Sequence, residues 1–303
     1  MTALDAPRRR GRPQYSAKEV ALAFAFLIPS LAVFVAFFYL PFARLLSWGT
    51  YESVRGGTSY NQVGLAQYRS VLGGSEFRQG LWHSLQFVLY TVPTGIVLGL
   101  LLAVLAHREL KGIGVYRTVF SSTVATSVAA SSVIFFTLLN PQVGLFTYWL
   151  GRSGSLSVLQ DPKTALIFVS ITTIWQNLGL SFILMSAGLQ SVPDDLYEAA
   201  EVDGAGARAR FRHVTLPMLS PALFFAAVVG SIMAFQAFGQ IDLLTEGGPN
   251  GATNVLVYSI YRDVFTSGND GVAAVKAIAL FVIVLVLTLV QLRFAEKRVS
   301  YAR

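Results

Sequence analysis

The chain has 303 residues, 54% of them hydrophobic and only 13% charged, with a mean hydropathy of +0.58; soluble domains carry about 25% charged residues, so a soluble fold is excluded. The net charge of +7 is spread over the ends of apolar runs, which reads as membrane topology and not as a nucleic-acid surface. With no cysteine there is no disulfide, thiolate metal site or cysteine nucleophile, and His83, His107 and His213 have no ligand-like spacing, so no metal site is expected.

Residues 1–19 contain Arg8, Arg9, Arg10, Arg12 and Lys18 and read as a basic cytoplasmic tail. The apolar run 20–40 is long enough to cross a hydrocarbon core of about 30 Å. A cleaved leader is the rival, but the A-x-A-like Ala23-Phe24-Ala25 opens the run instead of closing it, so the segment is expected to stay as a span. Residues 42–80 form an outside loop with Trp48, Tyr51, Tyr60 and Tyr68 near the interface. The second span, 82–106, carries Gly95 and Gly99 on one face, a spacing suited to close helix packing. The third, 119–139, is rich in Ser and Thr, from Ser121 to Ser132. These hydroxyls either bond back to their own helix or line a pathway.

Trp175, Gln176 and Asn177 lie together in the fourth span, 165–189. The polar stretch 191–217 follows. Ser191 and Asp194 resemble a capping box, predicting a helix from about Val192, a bend at Gly204 and Gly206, and a short basic helix stopped at Pro217. The fifth span, 219–244, sets Ala226, Gly230 and Ala234 at four-residue intervals. It also carries Gln236 and Gln240 one turn apart, with Asp242 near its outer end. The sixth span is 273–292. Fifteen of the 23 lysines and arginines fall on the side of the two termini and the 191–217 stretch, which places these in the cytoplasm. The fold expected is all-α, a polytopic membrane protein of six transmembrane helices spanning residues 20–303.

No G-x-x-x-x-G-K-[ST] phosphate loop occurs and no lysine follows a glycine, so the chain is not itself an ATPase. No catalytic triad or carboxylate pair falls at membrane depth, and no enzyme site is expected. Ion-coupled carriers need ionisable groups inside their spans. Here Asp242 stands nearly alone, which argues for energy supplied by a partner. Any solute must pass groups able to replace its hydration, and Gln236 and Gln240 are the first candidates, with Gln176, Asn177 and Trp175 behind them. The alternative is that these amides only bond helix to helix.

Glu198-Ala199-Ala200, three residues, Gly204, nine residues and then Val214-Thr215-Leu216-Pro217 resembles the EAA loop of the membrane-spanning subunits of bacterial ABC importers. Gly64-Leu-Ala-Gln-Tyr68, Trp175 followed by Gly179, the Gly188 to Pro193 approach, and Leu244-Thr-Glu-Gly-Gly-Pro249 with Ala252-Thr253 extend the resemblance to the carbohydrate-uptake permeases along nearly the whole chain. Leu256 to Arg262 and the stretch Leu287 to Ala302 are similar to the permeases of glycerol-phosphate importers within that group.

The resemblance implies a type I ABC importer permease in the bacterial cytoplasmic membrane. Its partners would be a second permease, a homodimeric ATPase that holds ATP and Mg, and an extracellular or periplasmic solute-binding protein, with no cofactor in this chain. Glu198, Ala199, Ala200, Asp203, Gly204, Leu216 and Pro217 would couple to the ATPase. The solute would be sn-glycerol 3-phosphate or a glycerophosphodiester such as glycerophosphocholine, with a neutral sugar as the alternative and an ion-driven carrier ranked below. One departure is Val214, where Ile is more usual.

Overall fold

A computed structural model describes residues 16–54, 59–107, 111–140, 142, 144–149 and 158–298. Most of the 1–19 tail, and the topology-marking Arg55, Arg108, Arg152 and Arg303, lie outside the described residues.

The first rod begins at Ser16, whose hydroxyl caps the Glu19 amide while the Glu19 carboxylate accepts from the Ser16 amide. It runs through α1 (Ala17–Phe34), a π-helical turn (Val35–Tyr39) and α2 (Leu40–Trp48). The π turn has a local cause. Pro41 cannot donate, and its ring crowds the preceding turn of an α-helix; widening that turn, with the Leu40 amide bonded to the Val35 carbonyl, relieves the conflict. Along most of its length this rod is exposed. It meets the rest of the chain mainly where Phe42 packs edge-on against Phe281, with ring centroids 5.2 Å apart.

A hairpin of β1 (Tyr51–Val54) and β2 (Ser59–Gln62) follows, antiparallel with Tyr51 opposite Gln62. After α3 (Ala66–Gly73), α4 (Ser75–Ala106) is the long central helix. α5 (Ile113–Ser121) tightens into a 3₁₀ turn at Ser122–Ala125 before α6 (Val128–Leu138). Next come α7 (Leu145–Trp149), α8 (Ala165–Gln190), α9 (Asp194–Val202) and α10 (Ala207–Arg210). A second π turn (Phe211–Thr215) leads into α11 (Leu216–Met218) and α12 (Ser220–Phe235), and the chain closes with α13 (Gly239–Thr245), α14 (Leu256–Phe265) and α15 (Asp270–Arg298).

Among the described residues four unbroken helical rods are long and apolar enough to cross a bilayer: 21–48, 75–106, 165–190 and 270–294. Two bent pairs make six if each is one crossing: 113–125 with 128–138, at 103°, and 207–218 with 220–235, at 61°. The third span is therefore broken where the sequence suggested a continuous helix. Its hydroxyls bond to backbone one turn back, Ser122 to Val119 and Ser131 to Val128. Ser127 then starts a new helix by capping the Ala130 amide at 3.1 Å. The fifth span is also interrupted, between Phe235 and Gly239, so Gln236 and Gln240 do not share one helical face.

Small residues set the helix contacts. A Cβ on Gly99 would stand 2.6 Å from the Ser181 Cβ, so α4 and α8 touch at backbone distance, and Gly230 of α12 packs on Val92 of α4. Two apolar clusters result. One gathers Phe87, Leu139, Val169, Ile241 and Tyr258; the other gathers Ala103, Phe182, Met185, Leu189 and Leu219 beside the 191–217 stretch. Along α4 and α8, the residues between these clusters face a cavity.

The motif Leu244 to Pro249 is a tight loop. Gly247, at φ +77, lies beneath the Tyr258 ring, where a Cβ would come within 2.6 Å. Thr253 locks the turn by donating to the Gly248 carbonyl at 2.8 Å.

Candidate functional site

The cavity holds about 300 Å³ and is walled by α4 (Thr91 to Ile96), α6 (Val128), α8 (Thr173 to Leu184), α12 (Ala226 to Ala234) and the segment 236–240. Its polar groups are hydroxyls and amides: Thr91, Thr173, Ser181, Gln176, Asn177, Gln236 and Gln240. Among the described residues no Asp, Glu, Lys, Arg or His lines it.

Of the six residues expected along a pathway, Gln176, Asn177, Gln236 and Gln240 converge on this cavity and two do not. Trp175 turns the other way and packs on Phe135, with centroids 5.6 Å apart, because adjacent helical residues point about 100° apart. Asp242 is half-buried in the first turn of α13, outside the lining. Three of the four amides have protein partners. Asn177 donates to the Thr173 carbonyl at 3.1 Å, Gln176 to the Thr126 carbonyl at 3.2 Å, and Gln240 to the Gln176 side-chain oxygen. Gln236 is exposed. Gln176 and Gln240 thus bond between elements and line the cavity at once.

The stretch 191–217 stands away from the bundle. Ser191 donates to the Gly188 carbonyl at 2.7 Å and so closes α8, and α9 starts later, at Asp194, behind Pro193 with no side-chain cap. The capping box read from Ser191 and Asp194 does not form, since α8 continues to Gln190 and uses Ser191 for its own end. Nor does Pro217 stop the second helix. The π turn before it bonds the Leu216 amide to the Phe211 carbonyl, and the helix runs on to Met218.

On α9, Glu198 and Ala199 are exposed and Ala200 is half-buried, followed by the exposed Asp203 and Gly204. Val202 is 88% exposed and Leu196 40%, an apolar cost that a partner surface would remove. Leu216 is exposed and Pro217 half-buried, both farther along, at the foot of α12.

Two contacts absent from any reading of the sequence hold the stretch together. The Tyr197 hydroxyl meets the Thr215 hydroxyl at 3.0 Å, and Arg210 pairs with Glu201 at 3.1 Å. Sequence separations of eighteen and nine hide these pairs from any helical periodicity. Anchoring comes from Val192, Thr215 and Leu219, all buried. The helices that flank this stretch, α8 and α12, are also walls of the cavity.

Among relatives, the sn-glycerol-3-phosphate transport system permease protein UgpA of Agrobacterium fabrum is 36% identical over 282 residues, covering 92% of this chain and 96% of that protein. The proteins of the same name from Rhizobium meliloti and Escherichia coli are each 33% identical, again over 92% of this chain and 96% of theirs. The fold is shared with a bacterial ABC transporter involved in the import of the acidic polysaccharide alginate. There the TM-score is 0.79 at 21% identity, covering 93% of this chain and 98% of that one. The same fold is found in the alginate transporter in complex with an alginate pentasaccharide-bound periplasmic protein, with a TM-score of 0.79 and 21% identity over 94% of this chain and 98% of that one. Residues 95–300 match the family described as binding-protein-dependent transport system inner membrane component. The chain belongs to that family, as a multi-pass permease of the inner membrane.

Proposed function

We propose that this chain is the membrane-spanning subunit of an ATP-driven importer for sn-glycerol 3-phosphate or a glycerophosphodiester such as glycerophosphocholine. It works with a second permease, a homodimeric ATPase that binds ATP and Mg, and a solute-binding protein outside the membrane. Its own part is non-catalytic, and both termini are cytoplasmic. The observation that carries this reading is the direct continuity between the exposed stretch 191–217 and the cavity walls α8 and α12. A partner that grips Glu198, Ala199, Ala200, Asp203 and Gly204, and bears on Leu216 and Pro217 where α12 begins, moves those walls as levers. Such a partner biases two states only through its different affinity for each.

Gln236 faces the cavity, and the Gln240, Gln176 and Asn177 amides line it beside Gln236. Together they exchange hydrogen bonds with solute hydroxyls and release them again, since a transport site must bind loosely enough to let go. The wall carries no cation, so selection of a phosphate falls to the solute-binding protein. The same uncharged wall favours a second reading, a neutral sugar or polyol as cargo.

Uptake of labelled sn-glycerol 3-phosphate by cells carrying the partner subunits is expected to require this chain, to need ATP and to survive an uncoupler. Uptake by this chain alone that collapses with the uncoupler would overturn the reading in favour of an ion-driven carrier. Uptake of a disaccharide only would move the assignment to sugars.

A further inference from the structure

A helix break inside a bilayer leaves backbone carbonyls with no partner in their own helix and no water to replace it. The break in the third span leaves the carbonyl of Thr126, at the extended residue between the 3₁₀ turn and Ser127. The Gln176 amide nitrogen reaches it from α8 at 3.2 Å. The break in the fifth span places Gln240 one residue into α13, and its amide nitrogen donates to the Gln176 oxygen. One side chain on a straight helix therefore holds both broken ones.

The direction of this relay is forced. A carbonyl only accepts, so Gln176 must give its NH₂ to Thr126 and keep its oxygen for Gln240, which must in turn give its own NH₂. Gln240 is thereby left with its oxygen free of the relay. One turn along α8, the Gly179 amide donates to the Thr123 hydroxyl at 2.8 Å. A Cβ at residue 179 would lie 2.8 Å from the Ser121 carbonyl oxygen, so the two elements meet there at backbone distance.

We propose that Gln176 is a positioning residue of the transport pathway: its amide fastens the break at Thr126–Ser127 and the break at Gln236–Phe238 to α8, so that the two bend as one unit around the cavity. The role in transport rests on the importer reading above; the relay itself does not.

Gln176→Glu supplies the test, because only a protonated carboxyl has both the O–H for Thr126 and the oxygen for Gln240. A carboxylate offers no donor. Among the described residues no titratable group lines the cavity beside that carboxyl. On the helices that wall it, Asp242 of α13 and Glu76, Arg78, His83 and Tyr90 of α4 are the charged or titratable side chains, all outside the lining. Gln176→Leu has the bulk and neither function.

Two measurements are made on Gln176→Glu, Gln176→Leu and wild type across acid to mildly alkaline pH. They are the thermal midpoint of the purified chain and, in the full complex, uptake of sn-glycerol 3-phosphate per inserted complex. At alkaline pH both variants are expected to lose about ten-fold or more in uptake, the effect of at least one unsatisfied buried group, the Thr126 carbonyl in Gln176→Glu and the Gln240 amide besides in Gln176→Leu. On acidification Gln176→Glu recovers towards wild type in both readouts and Gln176→Leu in neither. Wild-type uptake by Gln176→Leu, or a Gln176→Glu that tracks Gln176→Leu at every pH, would overturn the proposal. If even the wild-type complex takes up no glycerol phosphate, the substrate reading fails, and the midpoints alone still decide whether the relay exists.

Discussion

Uptake is expected to fall to background when Glu198 is replaced by Lys or Gly204 by Pro, while the protein reaches the membrane at its normal level. Glu198 is exposed on α9, so reversing its charge leaves the bundle's own packing intact and alters what a partner meets. Gly204 sits at φ +75, and a Cβ added there would meet nothing within 4 Å. Proline holds φ near −65°, so it cannot adopt that turn, and α9 must leave its angle to α10. Gly204→Ala separates shape from bulk: there is room for the methyl, and the left-handed backbone costs only about 1–2 kcal/mol. It is therefore expected to retain most of its uptake. Immunoblots of membranes, uptake rates and co-purification of the ATPase read the three effects separately. Normal uptake in both the Lys and Pro variants would remove α9 from the coupling route.

The largest loss of stability is expected from Lys276→Met. Lys276 is 1% exposed, and its ammonium meets the Asp263 carboxylate at 2.7 Å, the Ser259 hydroxyl at 2.7 Å and the Glu76 carboxylate at 3.3 Å. It thus joins the second turn of α15 and the first turn of α4 to α14. Removing one partner of a buried pair strands the other charge, at about 3–5 kcal/mol. Burial pushes the Asp263 carboxyl above its ordinary range, and the bond from Lys276 draws it back.

Without the lysine, Asp263 prefers to be neutral in the folded chain. The loss is therefore full above the raised folded value, shrinks as pH falls from there towards the unfolded value, and is gone only below the latter, where folded and unfolded states both hold the proton. Thermal midpoints in detergent as a function of pH check this. Lys276→Met combined with Asp263→Leu should regain most of the deficit; an equal deficit in the double variant would mean that the pair was not the cause.

The unbroken spans were legible because an apolar run as long as 82–106 needs no tertiary information to be read as membrane-crossing. The EAA spacing was equally visible, since it is a local pattern. The breaks were hidden. Thr126-Ser127 looks like any other pair in a Ser/Thr-rich helix, and only the orphan carbonyl with Gln176 opposite it distinguishes the position. Likewise Gln236 and Gln240 carry a four-residue spacing that suggests one face, and the loss of helix over the intervening Ala237 and Phe238 undoes it.

Pro217 misled for a related reason. Like Pro41, it follows a leucine and a π turn, which absorbs the clash that ordinarily ends a helix. Lys276 is one of the eight lysines and arginines that the charge count leaves on the outer side, yet it is among the most buried side chains in the described residues. Its partners Glu76, Ser259 and Asp263 come from distant segments, a convergence that no local pattern encodes.

ATP hydrolysis by the lipid-reconstituted complex, titrated with binding protein loaded with sn-glycerol 3-phosphate, glycerophosphocholine or a disaccharide, tests the central claim most directly. Stimulation by the phosphate-bearing ligands alone, abolished by Glu198→Lys in this chain, is the result expected of a glycerol-phosphate importer driven through α9. Stimulation that survives Glu198→Lys and Gly204→Pro undiminished, or no association of an ATPase with this chain at all, would contradict it.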